Sequence, residues 1–161
     1  RLMKGKIAIV GAAASGKDHM RQRFQDRGFK FGISCTTRKP RPGEKNGRDY
    51  YFITEQQFQD FIDNGQFVEW QEFNGWKYGM TKHDWELCDV MILNAEAVEL
   101  LPKRYRDSLF VFYIDIPEEV RRERLMARND KDDSIDRRIA ADDEQFRNFF
   151  DFDCKITNDK F

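Results

Sequence analysis

Lys6-Ile7-Ala8-Ile9-Val10-Gly11-Ala12-Ala13-Ala14-Ser15-Gly16-Lys17 reads as a short apolar strand that runs directly into a glycine-flanked turn ending in lysine. In that order, backbone N–H groups and a helix N-terminus can cradle polyphosphate while the lysine reaches its outer oxygens. A bare Gly-x4-Gly-Lys arises by chance in roughly one chain in twenty of this length, so the preceding strand gives the match its weight. Gly11, Ala12, Ala13, Ala14, Ser15, Gly16 and Lys17 are therefore expected to form a phosphate-binding loop. Where such loops carry a Ser or Thr whose hydroxyl serves Mg2+, this chain has Asp18. A carboxylate can ligate Mg2+ but repels phosphate, and an acid is also favoured at a helix N-terminus for its own sake. His19 is expected at the surface.

Outward from this loop, three further apolar runs appear at Asp89 to Leu93, Leu109 to Ile114 and Cys154 to Thr157, separated by amphipathic stretches. Together with Lys6 to Val10 they predict an α/β fold with a central parallel sheet and helices on both faces. Asp49-Tyr50-Tyr51-Phe52-Ile53 and Phe67-Val68-Glu69-Trp70 suggest a small antiparallel insertion between the first two runs. Thr54 and Gln57 have the form of a capping box for a helix carrying Phe58, Phe61 and Ile62 on one face and stopped by Asn64-Gly65. Pro117, Glu118 and Glu119 open a helix reaching to about Ala127. Ser134 caps another, with Ile135, Ile139, Phe146, Phe149 and Phe150 expected inward.

The chain has 161 residues, the size of one globular domain. Its 40% hydrophobic residues exclude global disorder, and a formal net charge of -1 gives no bulk attraction to nucleic acid or an acidic membrane. No apolar run approaches the ~20 residues of a membrane span, and the first residues lead into a strand rather than a secretory segment. A cytoplasmic protein is expected, a monomer or homodimer, without nucleic-acid or membrane partners. Arg1 in place of Met suggests that a short N-terminal piece precedes it. Cys35, Cys88 and Cys154 lack metal-type spacing and fit reduced thiols.

A second constellation runs from Ser34-Cys35-Thr36-Thr37-Arg38-Lys39-Pro40-Arg41-Pro42-Gly43-Glu44 to Asp49-Tyr50-Tyr51-Phe52. Two arginines three apart on a backbone stiffened by proline can clamp a phosphate, with Tyr50 adding an O–H donor. Charge runs usually face water, so a solvated basic loop is the competing reading.

This stretch strongly resembles the monophosphate-binding region of guanylate kinases, Ser-x-Thr-Thr-Arg-x-Pro-Arg-x-Gly-Glu-x-x-Gly-x-Asp-Tyr-x-Phe. The resemblance continues in order through Gly65 to Trp70, Tyr78-Gly79, Arg124-Leu125-x-x-Arg128, Ser134-Ile135-x-x-Arg138 and Asn158-Asp159. It implies a P-loop kinase with a core at about 1–33 and 88–161, a small mixed β insertion at about 34–87 and a helical lid at about 128–138. By the same resemblance, ATP donates its γ-phosphoryl group to GMP or dGMP with Mg2+. Gly11 to Asp18 and Asn158 would then meet ATP. Glu69 and Ser34 would read guanine, Arg38, Arg41, Tyr50 and Tyr78 would hold the acceptor phosphate, and Lys17, Arg38, Arg128 and Arg138 would be catalytic.

Departures from the family pattern limit these implications. Met80 stands where Ser or Thr helps to read the base, which leaves room for a kinase of another (deoxy)nucleotide. Asn94-Ala95-Glu96 replaces Asp-x-Asp, so Glu96 is expected to take the second acid's place at the monophosphate and Asp18 to compensate for Asn94 at Mg2+. The family usually adds a helix after the Asn158-Asp159 position, implying a minimal or truncated version here. A different class, a non-catalytic phosphopeptide-binding module, is disfavoured by the retained Lys17, Arg128 and Arg138.

Overall fold

A computed structural model describes residues 5–128 and 134–161. Elements follow in the order β1 (Lys6–Gly11), α1 (Lys17–Asp26), β2 (Phe31–Gly32), β3 (Cys35–Thr36), β4 (Tyr51–Phe52), α2 (Glu55–Asp63), β5 (Phe67–Phe73) and β6 (Trp76–Thr81). They continue with α3 (Lys82–Leu87), β7 (Val90–Ile92), α4 (Ala95–Leu100), α5 (Lys103–Arg106), β8 (Leu109–Ile114), α6 (Glu118–Arg128), α7 (Ile135–Phe146) and β9 (Cys154–Ile156).

The predicted runs form a parallel sheet of order β2-β7-β1-β8-β9. Successive side chains of β1 point to opposite faces, and both faces are covered. Ala8 and Val10 join the cluster with Trp85, Val98 and Phe149, whereas Ile9 packs with Met20, Phe24 and Val120 from α1 and α6. That double burial is why the strand reads as continuously apolar rather than alternating. Each fully buried Ile or Val contributes about 1.5–3 kcal/mol relative to exposure. Only two residues long, β2 is too short for its periodicity to be legible.

The insertion is a second sheet of order β4-β3-β6-β5. Its pairs β3·β6 and β5·β6 are antiparallel, but β3 and β4 pair in parallel, so the local expectation of a purely antiparallel insertion is corrected to a mixed one. The loop from Thr37 to Tyr50 is long enough to bring the chain back alongside β3 in the same direction. The capping box at α2 forms as expected, with Gln57 N donating to Thr54 Oγ1 at 3.1 Å and Thr54 N to Gln57 Oε1 at 2.9 Å. Phe58 is then fully buried, its ring 4.6 Å from that of Phe67.

Ser134 caps α7 through the N–H of Arg137 at 3.0 Å. Ile139 and Phe149 are buried, but Phe150 is 78% exposed, contrary to expectation. The helix ends at Phe146, so the helical spacing that would turn Phe150 inward no longer applies. Of the expected lid, residues 129–133 lie outside the described residues. Among the described residues the three cysteines are free thiols, and no helix is long and apolar enough to cross a membrane.

Candidate active site

The carboxyl ends of β1, β7 and β8 open on one edge of the parallel sheet, the usual place for a ligand in an α/β fold. There a cavity of about 650 Å³ extends from the loop after β1 to the inner face of the insertion. That volume is within the range of small-molecule sites.

The loop is held in an unusual backbone. Gly16, at the N-cap of α1, has φ 104°, and Ala14 has φ 60° despite its side chain. Ala14 is kept there by burial against Leu125 and Ile139 and by its carbonyl, which accepts from Arg124 Nη1 at 3.1 Å. The other arm of Arg124 donates to the Asp159 carbonyl at 3.1 Å, joining the loop to the segment after β9. Lys17 Nζ donates to the carbonyls of Gly11 and Ala12 at 2.6 and 2.9 Å. Burial lowers the Lys17 ammonium to about 8, an effect opposed by the carboxylates of Asp142 and Asp18. The N–H of Ala13 donates to Asp142 Oδ2 at 2.9 Å, so a carboxylate occupies one of the loop's backbone donors. Asp18 is exposed at the first turn of α1 and faces the cavity.

At the other end the basic segment is ordered by its own acid. Glu44 accepts from Arg38 in a bidentate pair at 2.7 and 3.1 Å and also from the Arg41 N–H at 2.7 Å. Arg38 is only 4% exposed and lies 5.3 Å from the Tyr50 ring centre, so it is withdrawn from the solvent that Lys39, Lys45 and Arg48 of the same loop face. Tyr50 and Tyr78 meet edge to face at 5.9 Å. Burial and then the charges of Arg38 and Arg138 push the Arg41 guanidinium below its ordinary value, a sign of converging cations that favours an anion between them.

Glu69 lies on β5, 6% exposed. Its Oε1 accepts from the Met80 N–H at 3.2 Å, while Oε2 is buried with no partner. Burial, with a smaller push from Glu96, raises this carboxyl to about 8, the Met80 bond opposing the rise. Met80 itself is fully buried in the apolar core beside Val68 and Trp85, so only its backbone serves the site.

Ser34, Arg128 and Arg138 also line the cavity. Arg138 is buried and close enough to influence both Lys17 and Arg41. Three predicted residues fall outside the lining, the first being Ala12, which is buried in the loop with its carbonyl accepting from Lys17 Nζ. Glu96 is exposed in the first turn of α4, and exposed Asn158 uses its side-chain oxygen to accept from Lys160 N at 3.0 Å. Asn94 does line the cavity, but its Oδ1 caps α4 by accepting from Ala97 N at 2.8 Å.

Glu44 and Arg124 stood in the sequence patterns quoted above but were given no role, and Gln71 and Asp142 were passed over although both had a local signal. Gln71 shares the alternation of Glu69 on one strand, and Asp142 stands one helical turn after Arg138 on α7.

Among the described residues no group of three or more His, Cys, Asp or Glu could hold a metal by itself. The donor set fits Mg2+ only in the way typical of nucleotide sites, one or two carboxylates plus substrate phosphates.

A sequence model of the guanylate kinase family matches residues 3–161. Guanylate kinase of Geobacter metallireducens is 35% identical over 168 residues, covering 98% of this chain and 83% of that protein. Guanylate kinase of Rubrobacter xylanophilus is 30% identical over 170 residues, covering 99% and 89%. The crystal structure of guanylate kinase from Anaplasma phagocytophilum superposes with a TM-score of 0.69 at 21% identity, covering 96% of this chain and 77% of that one, a likeness of fold.

Proposed function

Because the chain belongs to the guanylate kinase family, we propose that its cavity transfers the γ-phosphoryl group of ATP to the 5′-phosphate of GMP or dGMP, giving ADP and the diphosphate. One observation carries this reading. A single cavity has the loop of Gly11 to Lys17 at one end and, at the other, a buried carboxylate with an unpartnered oxygen, Glu69 Oε2.

Loop N–H groups and Lys17 hold the β- and γ-phosphates of ATP, for which Lys17 exchanges the carbonyls of Gly11 and Ala12. Arg38, Arg41, Tyr50 and Tyr78 fix the acceptor phosphate. Ionised Glu69 accepts from the ring N–H and amino group of guanine, and Ser34 meets its O6, a pattern that adenine cannot match. The acceptor phosphate is already anionic, so no protein base is needed. Arg128 and Arg138 lie against the phosphoryl group in transit, where negative charge spreads over its oxygens. Asp18, with the phosphates, would hold Mg2+, which neutralises charge on the transferred group.

The insertion and α7 already touch. Arg137 Nη2 donates to the Asn74 carbonyl at 3.1 Å, and its guanidinium lies 5.7 Å from the Trp76 ring centre. A bridge between the acceptor-binding sheet and the helix that carries Arg138 is what closure needs to exclude water.

The test is ADP release from ATP in the presence of GMP, dGMP, dAMP or dTMP, with Lys17→Ala as the control. Turnover confined to guanine nucleotides and lost in the variant is expected. Equal turnover of dAMP would reject the assignment of Glu69.

A further inference from the structure

We propose that Gln71 is a specificity-determining residue that reads the sugar of the acceptor nucleotide, accepting from and donating to its 2′-hydroxyl. The inference rests on the acceptor site proposed above. Gln71 is 4% exposed, and its Oε1 is buried without a partner. Along β5 the burial alternates, with Glu69 and Gln71 buried and Trp70 and Glu72 exposed, so the two buried residues share the face that lines the cavity.

A buried carboxamide oxygen without a hydrogen-bond partner is destabilising, and such groups in native proteins call for a specific explanation. Here one follows from position. Across the hairpin Glu69 pairs with Met80 and Gln71 with Tyr78. Glu69 marks the base end and Tyr78 the phosphate end. Two residues along a strand span roughly 7 Å, the step from the hydrogen-bonding edge of a base to its sugar. Gln71 therefore stands against the part of the nucleotide that neither Glu69 nor the arginines address. A hydroxyl both donates and accepts, as does a carboxamide, so one group can meet both ends of Gln71.

The position of Met80 adds to this. Its side chain, where the resembling enzymes have a hydroxyl, is turned into the core and contributes no polar group to the cavity. On the facing strand Gln71 supplies a buried polar group to the same cavity.

The experiment compares KM and kcat for GMP, dGMP and IMP in the unsubstituted protein, Gln71→Leu and Gln71→Ala, with thermal unfolding to confirm that each variant folds. The unsubstituted protein is expected to show a KM for GMP about tenfold below that for dGMP, one neutral hydrogen bond's worth. In both variants that gap should close through a higher KM for GMP, with kcat and the KM for dGMP held within about twofold. An unchanged GMP-to-dGMP ratio in the variants, or none in the unsubstituted protein, overturns the proposal. Loss of discrimination against IMP alone also overturns it, by assigning Gln71 to the base edge. Failure of the unsubstituted protein to turn over any of the three would bring down the acceptor site itself, a result distinct from an unchanged ratio.

Discussion

Asp142 on α7 places its carboxylate 2.9 Å from the backbone nitrogen of Ala13, inside the loop that follows the first strand. The same carboxylate lies 4.0 Å from the guanidinium of Arg121 on α6, and both residues are buried. One helical turn earlier on α7 stands Arg138. A single helix thus supplies a cation to the cavity and an anion to the loop, so displacement of α7 changes both together.

Asp142→Ala should destabilise the fold, because it removes the buried partner of Arg121 and leaves the Ala13 N–H without its acceptor. Breaking such a pair costs about 3–5 kcal/mol, and Asp143, 3.9 Å from Arg121, offsets part of it. A fall in Tm of about 5–15 °C follows for a domain of this size. Asp142→Asn keeps an acceptor for Ala13 and should lose less. Thermal unfolding of the two variants checks the order; equal losses would place the whole effect on charge.

Substitution at the two loop glycines tests the cradle. A Cβ on Gly11 would lie 3.0 Å from the Ile114 carbonyl, a neighbour fixed in β8, and closer still to the Ser15 hydroxyl. At Gly16 a side chain would add the cost of φ 104° to a contact of 2.9 Å with the Phe161 ring, which can turn. Gly11→Ala should therefore be the more damaging, with ATP binding lost at least tenfold more than in Gly16→Ala, as titration calorimetry would read. The opposite order would mean that left-handed strain, not steric contact with the sheet, governs the loop.

How much of this was legible in the sequence depends on the range of the interaction. The loop, its strand and the α2 cap are local patterns, and each appears where spacing predicts it. Phe150 misled because periodicity does not tell where a helix ends. The contact between Ala13 and Asp142 joins residues 129 apart, and that between Arg124 and Ala14 joins residues 110 apart. Neither leaves a trace in spacing. Asn94 could be read as a missing acid, but its use as the cap of α4 required the fold.

Glu69 predicts a pH dependence of stability. Its carboxyl, raised to about 8 by burial, holds a proton in the folded state that the unfolded chain releases near its ordinary value of 4.5. Between these values the folded state binds more protons, so stability falls as pH rises from about 5 to 8. Glu69→Gln should remove that slope and gain on the order of a few kcal/mol at pH 8, visible in urea unfolding at pH 5 and pH 8. A wild-type slope unaltered by the substitution would place the titration elsewhere.

Guanine binding predicts the companion effect. Only the ionised carboxylate can accept from both guanine donors, so GMP binding near pH 7 should release up to about one proton from Glu69. Calorimetry in two buffers of different ionisation enthalpy reads this number directly. As pH rises from 6 to 8 the Kd for GMP should fall by about tenfold per unit, flattening above 8 where Glu69 is already charged. The second ionisation of the nucleotide phosphate, near 6, acts in the same direction, so Glu69→Gln is the needed comparison. In that variant the phosphate's contribution should persist and the dependence above pH 7 should vanish. Proton release that survives the substitution at pH 7.5 would show that Glu69 enters the complex already ionised.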